Sequence, residues 1–401
     1  MGCVVQKMTI EDVEVQGKRV FVRVDFNVPM DKHGHITDDR RIRSTLPSID
    51  YCIDHGARLI LASHLGRPKG EPNSQFSMSA VAKRLSRLLN KEVKFAPDCV
   101  GPQVCAMVDD LKDGDVLLLE NLRFHPGEEA NDESFAKELA RGVDVYVNNA
   151  FGTAHREHAS TYGITRFVPV AVAGYLMKME IEFFEDVITK PTRPFVAILG
   201  GSKVSGKLGV IRNLIDRVDK ILIGGGMMFT FLKATKHEVG KSIVEDEMIE
   251  LSLEMLKHAR EKGVKFYLPV DVVVADRIDA QANSRIVTVQ EIPRDGYGLD
   301  IGPASSKLFE LALQGAKTIV WNGPMGIYEI EAFSRGTAAL AHAVAGCYAT
   351  TVIGGGDTAD AVNRAGEADN MTFISTGGGA SLRLLEGKRL PGILGLTDKK
   401  N

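Results

Sequence analysis

The feature that most constrains this chain is a recurrence. Short runs of β-branched and aliphatic residues are each followed by a stretch with apolar residues three and four apart. The runs lie at 20–25, 59–63, 93–95, 116–119 and 143–147 in the first half, and at 195–199, 220–223, 265–268, 318–321, 351–353 and 372–374 in the second. Segments 79–89 and 247–262 carry the helical spacing between them. Such alternation calls for parallel sheets with helices on both faces, because a parallel connection must cross over the sheet. A single core usually stops growing well short of 401 residues, so the two sets of runs imply two doubly wound α/β domains. Residues 177–188 read as an amphipathic helix, and Pro191 and Pro194 cannot continue it. The expected division is a first domain over 1–175, an interdomain helix and hinge over 176–190, and a second domain over 191–387.

Composition narrows the class of function. The chain is 44% hydrophobic and 25% charged, as ordinary globular proteins are. A net charge of −3 gives no overall field for nucleic acid or an anionic membrane, so any bound anion must be held by a local cluster of charge. The cysteines Cys3, Cys52, Cys99, Cys105 and Cys347 are odd in number and form no CxxC pair, a spacing that argues against a zinc site or a disulfide framework. Met1-Gly2-Cys3-Val4-Val5-Gln6 has Gln6 where a myristoylation signal needs Ser or Thr. The longest apolar run, 168–177, is too short to span a bilayer. A cytoplasmic protein is expected.

Ligands of open parallel sheets bind beyond the carboxyl ends of the strands. In the first half those positions are polar and cationic: Asp25-Phe26-Asn27 with Arg40 and Arg41 soon after, Ser63-His64-Leu65-Gly66-Arg67, Glu120-Asn121-Leu122-Arg123, and Asn148 onward to His155-Arg156. Arginines gathered at one sheet edge repel unless an anion sits among them, and the guanidinium fork suits carboxylate and phosphate. A small, multiply anionic substrate is expected there.

In the second half glycines follow the strands instead: Gly200-Gly201-Ser202-Lys203, Gly224-Gly225-Gly226, Asn322-Gly323-Pro324-Met325-Gly326, Gly354-Gly355-Gly356-Asp357-Thr358 and Thr376-Gly377-Gly378-Gly379. Glycine lets backbone N–H groups approach a phosphate, and a helix start adds partial positive charge. With Lys203 and Lys207 beside the first turn and Asp357 in the fourth, a nucleotide polyphosphate and its magnesium are expected. The stretch from Gly201 to Leu208 nearly matches a P-loop, but Leu208 has no hydroxyl for a metal, and no GxGxxG string supports a dinucleotide enzyme. His155 and His158 have no evident third partner for a metal.

Taken together, the strings resemble the phosphoglycerate kinase family from about residue 15 to 392. They are Arg23-Val-Asp-Phe-Asn-Val-Pro29, SHLGRPKG from Ser63, ENLRF from Glu120, AFGTAHR from Ala150, LGGSKVSGK from Leu199, LDIGP from Leu299, WNGPMG from Trp321, GGGDT from Gly354 and STGGGAS from Ser375. The resemblance implies two Rossmann-like domains, with residues 388–401 packing back onto the first. It also implies a monomer that interconverts 1,3-bisphosphoglycerate plus ADP with 3-phosphoglycerate plus ATP, using Mg2+. By motif match the substrate residues are Asp25, Phe26, Asn27, Arg41, His64, Leu65, Gly66, Arg67, Arg123 and Arg156. The nucleotide residues are Gly201, Ser202, Lys203, Lys207, Gly225, Asn322, Pro324, Gly326, Glu329, Gly355, Gly356, Asp357 and Thr358. Arg41, Lys203, Lys207, Gly355 and Gly378 are matched to phosphoryl transfer, and Asp357 to the metal. Asn149, Gly206, the 294–298 stretch and Arg383 depart from the family's usual residues without touching those matched to chemistry. A non-catalytic two-lobed binding protein and an NAD-dependent dehydrogenase are the rival readings.

Overall fold

The computed structural model describes residues 6–399, all but the side chains of residues 185 and 186; the segment around Gly2 and Cys3 lies outside them. Two compact units divide the chain. One takes residues up to Glu182 together with those from Arg389 onward, and the other spans Phe183–Lys388.

The first unit is built on a six-stranded parallel sheet: β1 (Arg19–Val24), β2 (Arg58–Ala62), β3 (Val93–Phe95), β4 (Val116–Leu118), β5 (Val145–Asn149) and β6 (Ala171–Ala173), in the order β3-β4-β2-β1-β5-β6. Apart from Arg19, every residue of β1 is buried, which explains why this strand reads as a continuous run rather than an alternation: helices cover both faces. The helix Ser79–Leu89 ends at Asn90, whose left-handed backbone (φ 48°) closes it. From β1 the chain moves to β2 on one side and later returns to β5 on the other, so the crevice of this sheet opens at the carboxyl ends of β1 and β5. The C-terminal stretch belongs to this unit. Met8 N–H donates to Thr397 O and Thr397 N–H to Ala171 O (both 2.8 Å), and Asn148 Nδ2 donates to Gly392 O at 3.1 Å.

The second unit has its own parallel sheet: β7 (Phe195–Leu199), β8 (Lys220–Ile223), β9 (Lys265–Tyr267), β13 (Thr318–Asn322), β14 (Thr350–Gly354) and β15 (Phe373–Ile374), in the order β15-β14-β13-β7-β8-β9. Here the order reverses between β7 and β13. A three-stranded antiparallel sheet, β10 (Asp271–Ala275), β11 (Ser284–Thr288) and β12 (Tyr297–Ile301), is inserted between β9 and β13. The sequence reading did not anticipate it. The helix Tyr175–Thr189 bridges the boundary between the units, slightly longer than its apolar spacing suggests. Among the described residues no helix is long and apolar enough to cross a membrane.

Candidate functional site

At the head of the first sheet, side chains from β1, β2, β4 and β5 converge. Asp25, just past β1, receives a short ion pair from Arg41 and an N–H from Asn27 at 3.3 Å. His64, just past β2, is buried; its Nδ1 lies 3.9 Å from Asp25 and 3.2 Å from Arg23 Nη2. Asn27 Oδ1 accepts the Gly66 N–H at 2.9 Å, and Arg123 Nη1 donates to Gly66 O at 2.8 Å, so one glycine ties three strand ends together. Gly66 has φ +63°, and a Cβ there would run into the Phe76 ring. Arg40 is turned away onto Asp38, which leaves Arg41 as the inward member of the pair.

Burial and the guanidiniums of Arg23, Arg123 and Arg41 hold His64 well below its ordinary pKa. Burial with Arg23, Arg123 and Arg156 lowers His158 to about 3. Both rings are therefore neutral donors or acceptors inside a cationic pocket. Arg67 is exposed and Arg156 half-buried, and neither has a side-chain partner among the described residues. Phe26 (0%) and Leu65 (3%) are core residues, so what they can offer a ligand is backbone alone. That narrows the expectation for both.

Sequence reasoning passed over the element beneath this pocket. Arg23, only 1% exposed, sits within β1 and donates from Nε to Ser160 Oγ at 2.8 Å. Ser160 in turn donates from Oγ to Glu128 at 2.6 Å and from its N–H at 2.9 Å. Glu128 is wholly buried, and its carboxylate offsets the buried guanidinium through the shared serine. The signal was present: a charged residue in the middle of Val-Phe-Val-Arg-Val is costly unless it is paired and used.

In the second unit the glycine turns fall into two kinds. Gly200, Gly224, Gly225 and Gly323 pack loop against loop. A Cβ on Gly200 or Gly224 would meet Met325, and one on Gly225 would meet the Gly201 backbone. Gly201 N–H already donates to Pro324 O (3.0 Å), and Gly225 N–H to Met325 O (2.9 Å). Gly201 and Gly225 thus hold the head of the sheet together with their own N–H donors engaged. Gly355 and Gly356 behave differently. They open the helix Gly356–Arg364, the Gly355 N–H finds no acceptor among the described residues, and the Gly356 N–H, first in its helix, has none within it. A Cβ on Gly356 or Gly378 would project into open space.

Asp357 lies in the first turn of that helix, exposed, with no side-chain hydrogen bond or ion pair among the described residues. A free carboxylate of this kind, an oxygen donor beside unpaired N–H groups, fits a hard cation that also carries phosphate. Thr358 faces inward and accepts the Gly323 N–H at 2.7 Å. Lys207 reaches Asn322, donating to its carbonyl at 2.6 Å and to its side-chain oxygen, and burial lowers the amine to about 7. Lys203 and Ser202 are exposed, and so is Glu329. Glu245, which no motif flagged, anchors the lysine turn by accepting Ser205 N–H (3.0 Å) and its hydroxyl. Gly326 lies against Asp300, where a Cβ would strike the carboxylate.

Comparison with known proteins identifies the family. The family profile described as phosphoglycerate kinase matches residues 10–388. Phosphoglycerate kinase of Geobacter metallireducens is 60% identical over 385 residues, covering 96% of this chain and 97% of that protein. The structure of phosphoglycerate kinase from Coxiella burnetii superposes with a TM-score of 0.87 at 41% identity, covering 97% of this chain and 98% of the other. That from Pyrococcus horikoshii gives 0.83 at 33% identity, with the same coverage. The chain belongs to the phosphoglycerate kinase family and catalyses its reaction, the phosphoryl transfer between 1,3-bisphosphoglycerate and ADP that yields 3-phosphoglycerate and ATP.

Proposed function

We propose that the two pockets divide the reaction between them: the arginine pocket of the first unit takes the phosphoglycerate, and the glycine turns of the second take the nucleotide. One observation carries this reading. Arg156, with no side-chain partner among the described residues, acts with Arg23, Arg41 and Arg123 on two neutral histidines. Asp25, Glu128 and Glu129 answer Arg41, Arg23 and Arg123, and the charge of Arg156 left over favours a bound anion. His64 and His158 can hydrogen-bond that anion without adding positive charge.

In the ATP-consuming direction the acceptor is a carboxylate, ionised at neutral pH, so no general base is required. Phosphoryl transfer then depends on alignment and on neutralising the moving charge. Arg41 from the first unit and Lys203 from the second are placed in that role, with the N–H groups of Gly355, Gly356 and Gly378 receiving phosphate oxygens. Lys207, its amine lowered to about 7, gains its full charge when a polyphosphate approaches. Asp357 would hold Mg2+, which when bound neutralises phosphate charge. Transfer requires the acyl phosphate and the nucleotide to meet, so turnover on this reading includes closure of the units about the helix Tyr175–Thr189, with water excluded. The protein works as a cytoplasmic monomer.

A coupled assay with 3-phosphoglycerate, ATP and Mg2+, following ADP, tests the reaction, and Asp357→Asn should raise the Mg2+ concentration needed for half-maximal rate. An unchanged metal titration would remove Asp357 from that role.

A further inference from the structure

Behind the loop that carries Arg123, three side chains from distant parts of the sequence meet. Asp98 and Cys99 follow β3, and His125 follows β4. One ligand atom from each, a carboxylate oxygen, the thiol sulfur and a ring nitrogen, lies within 4.8 Å of the other two, and no other such trio occurs among the described residues. His125 Nε2 is 2.6 Å from Asp98 Oδ1. The same oxygen accepts the Cys99 N–H at 2.6 Å, and the Cys99 thiol donates to Glu120 O at 3.0 Å. The His125 ring stacks on Phe135 with centroids 4.9 Å apart, which fixes its plane. A cavity of about 420 Å3 is lined by Asp98, Glu120 and His125 among others, while Cys99 is buried outside that lining.

We propose that Asp98, Cys99 and His125 form a binding site for a zinc-like divalent cation, separate from the magnesium of the nucleotide. Sulfur, imidazole and carboxylate are the donor set that borderline-soft cations select, whereas magnesium prefers oxygen alone. Donor atoms around a tetrahedral zinc stand about 3.5 Å apart, so small side-chain rotations close this set around an ion. Three protein ligands leave a fourth position on the cavity side. Glu120 does not supply it: its carboxylate already accepts Ser77 Oγ (2.8 Å), Met78 N–H (2.7 Å) and Asn121 N–H (2.8 Å). Those bonds fix the carbonyl that now takes the thiol proton, and the ion would displace that proton to solvent. Spacing rules for zinc look for paired ligands close in sequence. They miss this set because it is the pairing of β3 with β4 that brings residue 125 beside 98 and 99.

The occupant would brace a working part of the fold. His125 directly precedes the short helix Pro126–Glu129, which carries Glu128 under Arg23 and Glu129 beside Arg123 (3.1 Å). The test uses the full chain, purified without a polyhistidine tag and stripped with chelator, and two probes: Zn2+ by calorimetry and Co2+ by its thiolate-to-metal absorption. One equivalent of each should bind, with a cobalt–thiolate band. Cys99→Ser should abolish the band, and both Cys99→Ser and His125→Gln should weaken Zn2+ roughly tenfold or more. Cys105→Ser, whose thiol lies outside the trio, should change neither. Absence of a thiolate band, its survival in Cys99→Ser, or unaltered Zn2+ affinity in His125→Gln would overturn the site. The last decides alone if Cys99→Ser fails to fold.

Discussion

Replacing Asp300 by asparagine should remove a pH dependence from the stability of the second unit. Asp300 lies near the end of β12, is wholly buried, and accepts the N–H groups of Gly336 (2.7 Å) and Ile301 (2.9 Å). Gly336 lies in the first turn of the helix Arg335–Ala345, where no side chain from Ser334 provides a cap, so Asp300 serves as a cap from another element. The next residue, Thr337, accepts Met325 N–H at 3.0 Å, and the carboxylate thus steadies the turn 322–326 at one remove. Burial raises its pKa to about 7 from an ordinary 3.8, the two N–H donors only partly opposing the rise. Between those values the folded protein holds a proton that the unfolded chain has released, so stability falls as pH climbs. From pH 5 to 7 the loss is about 2 kcal/mol: 1.36 kcal/mol for each unit at first, flattening as the carboxyl ionises near pH 7. Asp300→Asn cannot titrate. It also sets an amide N–H2 against one backbone donor, at a cost of about 1–3 kcal/mol that does not vary with pH. Urea unfolding followed by the fluorescence of Trp321, the chain's single tryptophan and buried in this unit, reads the relevant transition. The variant should be the less stable at pH 5, and the gap should close or reverse by pH 8. Parallel stability curves for the two proteins would refute the buried, titrating carboxylate.

Arg41→Ala should lower turnover by more than it lowers substrate affinity, by on the order of 10²-fold or greater if the guanidinium acts on transition-state charge; an unaltered turnover number would remove that role. Gly206→Ala should stabilise the second unit by about 0.5–1 kcal/mol, since Gly206 has no positive φ and a Cβ there meets nothing within 4 Å; a lower unfolding midpoint would show that the turn needs glycine. Solution scattering with 3-phosphoglycerate and nucleotide bound together should show a smaller radius than the free protein, and superimposable curves would defeat the closure step.

Much of this fold was legible because parallel sheets bury both faces. The runs at 93–95, 195–199 and 220–223 coincide with β3, β7 and β8, and the helical spacing at 79–89 with its helix. The antiparallel insertion was not legible. β11 is almost entirely exposed and so carries no apolar alternation, and β12 contains both Gly298 and the buried Asp300. At the site, residues directly after strands could be read from the sequence, because strand ends fix where they stand. Arg23, Glu128, Ser160 and Glu245 could not. Their roles depend on partners 137, 32 and 40 residues distant, and only the folded chain reveals those. The glycines show the same limit: Gly225 and Gly356 look alike in sequence, yet one is wedged against backbone and the other faces open space.

Calorimetric binding of 3-phosphoglycerate and of Mg-ADP to the wild type, Arg156→Ala and Asp357→Asn bears most directly on the separation of the two grips. Loss of the Arg156 guanidinium should weaken 3-phosphoglycerate by about tenfold to a hundredfold, the worth of a charged hydrogen bond, while Mg-ADP binds as before. Asp357→Asn should do the reverse. Equal weakening of both ligands by either substitution, or 3-phosphoglycerate affinity indifferent to Arg156, would contradict the assignment of acid and nucleotide to separate units.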